Sequence, residues 1–443
     1  MPHPLRTASA GLPRPAATWL SIVLGALLLG LPAAGPAHAS PPGSDPAPAT
    51  QPVSPASLAE EPDWPIGLRL PDELLATWEP RDRDRAARQQ AAHILVWTPP
   101  GAADIRAVLL VPNNSDCKIL IQHKRLRDVA TRQRIAIVYL REFGRAVLEW
   151  AEPPEKAEAS FTALLALVAD AAGRPEIRQA PWITLGKSSR GRFPFRAAWW
   201  FPDRVIASIS YHGETPTWPM PAWTRMTDQS ILHLNIQGLS EWDGTWYRHV
   251  RPALLNYHRN TNWLCHQLVL YSVDHGNYSD SHGTAGWGHK VPPTHISCRQ
   301  VWDYVALFID RAMDLRVPKD ANAADGPVKL LPVDRSSGFL IHPRAPEELL
   351  GLKWFAFRQS EAGGYSPIPW PDEKTPVYDP EQGTISFAQL VRPAAGLPAE
   401  QQRDYLWVPD RVMLEAWLDL HNLYKTKDRV LEGLAVPPAE GGR

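Results

Sequence analysis

The sequence predicts an α/β protein with a mostly parallel central sheet, helices on both faces, and an irregular, partly β C-terminal extension. The first observation is the alternation of short apolar runs with amphipathic stretches from about residue 90 to residue 318. Strands buried on both faces of a parallel sheet have such continuous apolar runs. The second is that this regularity fades beyond residue 318, where residues 319–400 contain many Pro, Gly and Asp.

The individual elements follow from the period of the apolar residues and from the turn residues that bound them. Strands are predicted at His93–Trp97, Arg106–Val111, Arg134–Leu140, Trp182–Leu185, Val205–Tyr211, Ile231–Ile236 and Gln267–Val273. Helices are predicted at Ser160–Ala172, around Trp246–His258, at Arg299–Leu315 and at Asp410–Thr426.

The composition narrows the classes of function. The chain has 443 residues, with 46 basic and 47 acidic side chains and a formal net charge of −1. This balance gives no electrostatic basis for binding nucleic acid. The sequence contains no phosphate-binding loop and no dinucleotide fingerprint, so no organic cofactor is expected.

The N-terminal segment has the pattern of a secretory signal. Arg6 and Arg14 precede an apolar run at residues 19–31, and Ala37-His38-Ala39 provides small residues for cleavage after Ala39. We therefore predict a signal peptide at 1–39, a periplasmic or extracellular location, and no stable membrane span after cleavage. An uncleaved anchor is the alternative, although the apolar run is shorter than a spanning helix needs.

The rest of the chain divides by composition. Residues 40–62 are rich in Pro, Ala and Ser and predict a disordered linker. Residues 63–318 form the predicted main domain. Residues 319–443 are either a small appended module or a cap on that domain. The oligomeric state is not indicated, and the three cysteines allow at most one internal disulfide.

The most informative segment is residues 181–213. The predicted strand at Trp182–Leu185 runs directly into Gly186-Lys187-Ser188-Ser189-Arg190-Gly191, and a helix-like stretch follows. A sharp strand-to-helix turn lifts a serine hydroxyl above the sheet, and glycine two residues before the serine is needed where the turn is tight. Ser188 is therefore the candidate nucleophile. A helix N-cap without chemistry is the structural alternative, and Ser189 is a minor second candidate.

This segment resembles the nucleophile turn of bacterial α/β-hydrolases, in particular the dienelactone-hydrolase-like and polyhydroxyalkanoate-depolymerase-like esterases. These proteins have G-x-S-x-G, a helix, and then a Pro-(Asp/Glu)-Arg-Val turn, which here is Pro202-Asp203-Arg204-Val205. The resemblance covers about residues 90–318 and implies an α/β-hydrolase fold. One departure is Arg190, which stands where the relatives have their second glycine. Its side chain either reshapes the turn or points outward.

The resemblance also implies a triad in the chain order serine, acid, histidine. Glu241 is the expected acid because relatives have Gly-x-x-(Asp/Glu) after the corresponding strand, and Asp243 is the second choice. His289 is the expected base because Gly286-Trp287-Gly288-His289 resembles their Gly-x-Gly-His. His275 is the alternative base, since it lies nearest the end of the preceding strand.

The oxyanion hole is expected to combine the Ser189 amide with an amide from the loop after an early strand. That loop is Pro112-Asn113-Asn114-Ser115-Asp116, and Asn114 is the candidate donor. An Asx-rich turn without a catalytic role is the alternative.

Together these residues predict an exported serine hydrolase that acts on a small-molecule or polymeric ester. One rival is a non-catalytic cell-envelope or carbohydrate-binding protein on a hydrolase scaffold, which Arg190 and the lack of a His-Gly-Gly-Gly loop favour. A second rival is a metal-dependent hydrolase with ligands among Asp274, His275, Asp280, His282 and His289. The spacing of these residues resembles no known zinc motif, so no metal is expected.

Overall fold

The computed structural model describes residues 63–89, 91–143, 154–213, 230–238, 263–270, 273, 275, 278, 296–341, 355–359, 365–369, 391–402 and 405–420. All of them belong to one unit, Val53–Arg443. The predicted signal peptide, the predicted linker and the helix predicted around Trp246–His258 lie outside the described residues.

Thirteen strands and nine α-helices occur in the described part of the chain. The strands are β1 (Ile66–Leu68), β2 (Ile94–Trp97), β3 (Ala107–Pro112), β4 (Ile135–Leu140), β5 (Trp182–Lys187), β6 (Val205–Tyr211), β7 (Ile231–Gly238), β8 (Trp263–Leu270), β9 (Phe339–Ile341), β10 (Phe355–Gln359), β11 (Tyr365–Pro369), β12 (Val391–Pro393) and β13 (Leu406–Val408). The helices are α1 (Asp72–Leu75), α2 (Pro80–Arg88), α3 (Ser115–Gln122), α4 (Lys124–Gln133), α5 (Pro154–Ala172), α6 (Arg192–Trp200), α7 (Cys298–Arg316), α8 (Ala399–Gln402) and α9 (Arg411–Leu420).

The first eight strands form one mixed sheet in the order β1-β2-β4-β3-β5-β6-β7-β8. β2 pairs antiparallel with both β1 and β4, whereas all pairs from β4 to β8 are parallel. Every residue of β3, β4, β5, β6 and β7 is buried. These strands are the core of the molecule, as the apolar runs in the sequence predict.

The strand order places helices on both faces of the sheet. The chain steps from β3 to β4 in one direction and from β5 to β6 in the other. Because crossovers between parallel strands are right-handed, the connecting helices α3 and α4 lie on the face opposite to α6. The reversal between β3 and β5 also opens a crevice beyond the carboxyl ends of these two strands, where sites of open α/β sheets are found.

The predicted fold class is confirmed, and the differences lie in individual elements. Val205–Tyr211 is a strand with the predicted bounds. The last parallel strand begins earlier in the chain than the sequence predicts. It is β8, at Trp263–Leu270, whereas the predicted strand is Gln267–Val273. His266 interrupts the apolar run in the sequence, but it is buried in the strand, where it bonds the Tyr304 hydroxyl and lies 3.0 Å from the Trp407 carbonyl.

Helices α3 and α4 were not predicted, although α3 has a clear start signal. The Asn114 side chain accepts hydrogen bonds from the Asp116 and Cys117 amides and caps the first turn. Helix α7 begins in the same way with a capping box between Ser297 and Gln300, one residue before its predicted start.

The Pro202-Asp203-Arg204-Val205 turn has a structural role through Arg204. Its guanidinium donates hydrogen bonds of 2.9 Å to the Arg178 and Ala180 carbonyls and stacks 4.5 Å from the Trp182 ring. Burial lowers the pKa of Arg204 to about 10. This side chain joins the segments that lead into β5 and β6.

The segment after residue 318 packs against the last strand of the main sheet. Strand β9 pairs antiparallel with β12 and β13. The Arg311 guanidinium of α7 donates a hydrogen bond of 2.6 Å to Asp410, which directly precedes α9. The Ser230 hydroxyl donates 3.0 Å to the Val333 carbonyl. The apolar residues of this segment therefore share one core with the main sheet.

All three cysteines are free thiols. Among the described residues, no helix has the length and apolar character required to cross a bilayer.

Candidate active site

The segment after β5 makes the sharp turn that the sequence predicts. Ser188–Arg190 form a single 3-10 turn that leads into α6. Ser188 has a φ of 56°, a left-handed conformation that is uncommon for a residue with a side chain. Its amide donates 3.2 Å to the His212 carbonyl at the end of β6. The cost of such a conformation is of order 1–3 kcal/mol, and it is found mainly where a site requires it.

Position 186 must be a glycine because the chain turns back over the end of β5. A Cβ at position 186 would clash with the Arg190 carbonyl and would lie 3.1 Å from Pro194 Cδ. Arg190 itself does not have a positive φ, and its side chain is half-buried. The arginine therefore replaces the expected glycine without preventing the turn, and it lines a cleft beside it.

The His275 side chain contacts Ser188. Its Nε2 lies 2.9 Å from Ser188 Oγ, although 87 residues separate the two in the chain. In the neutral imidazole this nitrogen accepts the serine proton, which is the contact that nucleophile activation needs. His275 is the alternative base of the sequence prediction. The first choice, His289, lies outside the described residues, as do the two candidate acids Glu241 and Asp243.

Three buried side chains next to this pair, those of Tyr211, His212 and Tyr278, are joined by hydrogen bonds. Tyr211 Oη donates a hydrogen bond of 2.9 Å to Tyr278 Oη. The Tyr278 hydroxyl can therefore donate its own proton in a hydrogen bond to His212 Nε2. The His212 ring stands edge-on to the ring of His275, with 5.9 Å between centroids. Burial raises the pKa of Tyr211 well above its usual value, so this hydroxyl stays protonated. Tyr278 thus connects the segment that carries His275 to the end of β6.

A buried cation directly precedes Ser188. Lys187 is 3% exposed and forms an ion pair with Asp116 in the first turn of α3. Its ammonium lies 5.1 Å from the centre of the Tyr211 ring, a cation–π geometry. Next to it, burial raises the pKa of the Cys117 thiol to about 12, which disfavours its thiolate form.

The two candidate oxyanion donors differ in their environment. Ser189 is exposed and directly follows the nucleophile, and its amide donates no hydrogen bond to another described segment. The Asn114 amide donates a hydrogen bond of 3.2 Å to the Tyr139 hydroxyl. This hydroxyl in turn donates a hydrogen bond of 2.7 Å to Asn113 Oδ1. Asn114 is thus engaged as a helix cap and loop anchor, as in the alternative interpretation of this turn.

Lys187, His212 and Tyr278 lie at the site but were not predicted from the sequence. The signal for the first two was available, because each ends or directly follows a parallel strand next to the nucleophile turn, and parallel strands end at the same edge of a sheet. Tyr278 carried no comparable signal, since it follows a strand whose end was misplaced.

The metal-dependent alternative gains no support from the described residues, which contain no cluster of His, Cys, Asp or Glu able to hold an ion. Four of its five proposed ligands, Asp274, Asp280, His282 and His289, lie outside them. The fifth, His275, lies against Ser188.

No model of a known protein family matches the chain, and no curated protein sequence is similar to it. Among solved structures it is similar to poly(aspartic acid) hydrolase-1 from Sphingomonas sp. KT-1, with 13% identity over 41% of this chain and 88% of the other and a TM-score of 0.31. A putative dienelactone hydrolase from Klebsiella pneumoniae has 15% identity over 42% and 83%, with a TM-score of 0.26. The S-formylglutathione hydrolase from Staphylococcus aureus has 9% identity over 50% and 91%, with a TM-score of 0.29.

The strand order and the place of the strained serine together carry the fold assignment. An eight-stranded sheet with an antiparallel second strand, a reversal at β3 and β5, and a strained serine directly after β5 is the arrangement of the α/β-hydrolase fold.

Proposed function

We propose that this protein is an exported serine hydrolase that cleaves carboxylic esters, with Ser188 as nucleophile and His275 as general base. The observation that supports the proposal most strongly is the 2.9 Å contact between Ser188 Oγ and His275 Nε2 at a serine held with φ 56°. A structural helix cap needs neither the strained backbone nor the imidazole.

In this mechanism His275 takes the proton of Ser188 as the hydroxyl attacks the ester carbonyl, and later gives it to the leaving alcohol. The Ser189 amide stabilises the negative oxygen of the tetrahedral intermediate. Glu241 is the proposed acid, with Asp243 as the alternative. A carboxylate in this role orients the imidazole and stabilises its cation.

The Asn114 amide is a less suitable second donor than the sequence suggested, because it would have to exchange its bond to Tyr139 for one to the substrate. The Ser189 amide requires no such exchange. We therefore propose Ser189 as the main donor to the oxyanion.

Labelling with a fluorophosphonate probe tests the nucleophile and the base together. We expect the full chain to be labelled, Ser188→Ala to lose the label, and Ser189→Ala to retain it as the matched neighbour. His275→Ala should lower the labelling rate at least about 100-fold, whereas His289→Ala should leave it nearly unchanged. The reverse order of the two histidine variants would transfer the base to His289. No labelling of folded wild-type protein would favour the non-catalytic alternative.

Export is the second part of the proposal and rests on residues 1–39. The mass and N-terminal sequence of the protein recovered from an expressing bacterium test it directly. A mature chain that begins at Ser40 is expected, and a full-length chain retained in the membrane would contradict it.

A further inference from the structure

His212 is bonded through its backbone to the nucleophile turn. It directly follows β6, and its carbonyl accepts a hydrogen bond of 3.2 Å from the Ser188 amide. Its own amide donates a hydrogen bond of 2.8 Å to the Ile236 carbonyl of β7. The backbone at position 212 therefore joins the proposed nucleophile to the main sheet.

This backbone has a conformation that a histidine adopts at a cost. His212 has a φ of 46°, in the left-handed region that glycine adopts without strain. Three non-glycine residues in the described part of the chain have a positive φ, namely Arg134, Ser188 and His212. Two of the three are thus hydrogen-bonded to each other at the proposed site. Strain of this kind costs about 1–3 kcal/mol and occurs mainly at functional sites, so the presence of a side chain at 212 needs a reason.

The His212 side chain contacts the segment that carries the base. It is 1% exposed, and its Nε2 is hydrogen-bonded to the Tyr278 hydroxyl. Its ring lies edge-on to the ring of His275, with 5.9 Å between the centroids. A single residue therefore contacts Ser188 through its backbone and the segment of His275 through its imidazole.

The order of the hydrogen bonds fits a neutral His212. Tyr211 donates to Tyr278, so the Tyr278 hydroxyl can donate to His212 Nε2. A ring nitrogen that accepts a hydrogen bond carries no proton, which assigns the ring proton of His212 to Nδ1. A neutral ring at this place adds no like charge beside the imidazolium that forms on His275 during ester cleavage.

We propose that His212 is a positioning residue, which holds Ser188 and His275 within reach of each other. Its backbone fixes the nucleophile, and its imidazole fixes the segment of the base through Tyr278. It takes no part in the proton transfer, so its loss should lower kcat with little effect on KM. The inference rests on the proposed function, because it explains how the reacting pair of that site is held.

Two variants of similar side-chain length separate the hydrogen bond from the volume of the ring. His212→Gln places an amide oxygen near the position of Nε2, whereas His212→Met has a similar shape without a strong acceptor. In His212→Met we expect kcat for p-nitrophenyl acetate to fall at least about tenfold, with KM changed less than about threefold. His212→Gln should keep kcat within about threefold of wild type. Equal kcat values for the two variants, or a loss confined to KM, would overturn the proposal.

His212→Gly is a second test, because it removes the side chain and the strain together. Glycine adopts a φ of 46° readily, so the backbone bonds of position 212 can persist and the variant should fold. We expect its kcat still to fall at least about tenfold. A folded His212→Gly with the activity of wild type would show that the site does not need the imidazole, and would also overturn the proposal.

His233→Met is the matched control for the loss of a buried histidine. His233 lies on β7, is fully buried, and has its Nδ1 hydrogen-bonded to the Ser208 hydroxyl. This variant should lose stability in urea and keep kcat within about threefold of wild type. An equal loss of kcat in His233→Met and His212→Met would assign the effect to general destabilisation and contradict the positioning role.

Fluorophosphonate labelling separates this inference from the proposed function. If wild type is labelled at Ser188 and the three His212 variants are labelled at the same rate, the positioning role fails and the proposed function stands. If folded wild type is not labelled and cleaves no ester, both fail together. Slow labelling of His212→Met and His212→Gly, with labelling of His212→Gln near the wild-type rate, is the expected result.

Discussion

Gly213 and Gly191 are in direct backbone contact, which holds the nucleophile turn against the end of β6. A Cβ at position 213 would clash with Gly191 Cα, and it would lie 2.8 Å from Ser210 Oγ and 3.2 Å from the Gly191 amide nitrogen. The close approach therefore explains why position 213 is a glycine.

Gly213→Ala should displace the turn, because the obstacle is backbone and cannot rotate away. We expect fluorophosphonate labelling of Ser188 to slow at least about 100-fold, because a displacement of about 1 Å in a catalytic group has an effect of this size. Gly173→Ala is the matched control. Gly173 has a φ of 62° but open space around it, so its variant should lose about 1 kcal/mol of stability and keep the labelling rate. Equal labelling of both variants would show that the contact does not position the nucleophile.

The ion pair between Lys187 and Asp116 should stabilise the region around the nucleophile. Asp116→Asn leaves a buried ammonium without its carboxylate, and we expect the free energy of unfolding in urea to fall by about 1–3 kcal/mol. Part of the usual cost is avoided because the Asp116 side chain is 46% exposed.

Lys187→Met completes a double-mutant cycle for this pair, since methionine fills a similar volume without a charge. In the Lys187→Met background the Asp116→Asn change should cost less than about 0.5 kcal/mol. If both backgrounds lose the same free energy, the two side chains are energetically independent and the contact contributes nothing.

The parallel strands β3, β4 and β6 were predictable from the sequence because each contains an apolar run, whereas β8 was misplaced because His266 interrupts its run. The sharp turn at Ser188 was predictable because the predicted strand runs directly into Gly186-Lys187-Ser188. The contact between His275 and Ser188 was not predictable from local sequence, because the two residues lie 87 positions apart in the chain. His289 lies outside the described residues, so its place in the site stays a prediction. The contribution of Arg190 to a cleft was likewise hidden, because its other walls come from residues about 50 and 100 positions earlier in the chain.

The stability of the protein should depend on pH through His93. This buried side chain accepts a 3.0 Å hydrogen bond from the Leu70 amide at Nδ1, and its Nε2 lies 3.0 Å from the Ala86 carbonyl, to which the neutral ring donates. Burial, and then the charge of Arg69, lower the pKa of His93 below its usual value of 6.5. The unfolded chain therefore binds more protons than the folded protein as the pH falls through 6.5.

It follows that the stabilisation by His93 is fully present above its unfolded pKa and decreases as the pH falls below it. We expect the urea midpoint to be lower at about pH 5.5 than at about pH 7.5. His93→Gln should reduce this difference, while lowering stability by about 1–2 kcal/mol at the higher pH through the altered hydrogen bonds. An unchanged pH dependence in this variant would exclude His93 as its source. The remaining dependence is expected from His233, whose pKa burial also lowers.

Tyr278 should control the position of His275 without touching the substrate. Tyr278→Phe leaves the buried Tyr211 hydroxyl and the His212 imidazole without the oxygen that joins them. The segment that carries His275 then loses the polar contacts that Tyr278 makes with the end of β6. We expect kcat for p-nitrophenyl acetate to fall about tenfold with a smaller change in KM, because the lost interaction positions the base rather than binding the ester.

Tyr304→Phe is a closely matched control for that prediction. The Tyr304 hydroxyl bonds His266 Nε2 in the core of the β8–α7 contact, so this variant also removes a buried tyrosine–histidine hydrogen bond. Both variants should lose about 1–3 kcal/mol of stability. Only Tyr278→Phe should also slow the labelling of Ser188, since only Tyr278 belongs to the segment that delivers the imidazole. A similar loss of activity in both variants would mean that the loss results from general destabilisation of the core and not from the missing hydrogen bonds of Tyr278.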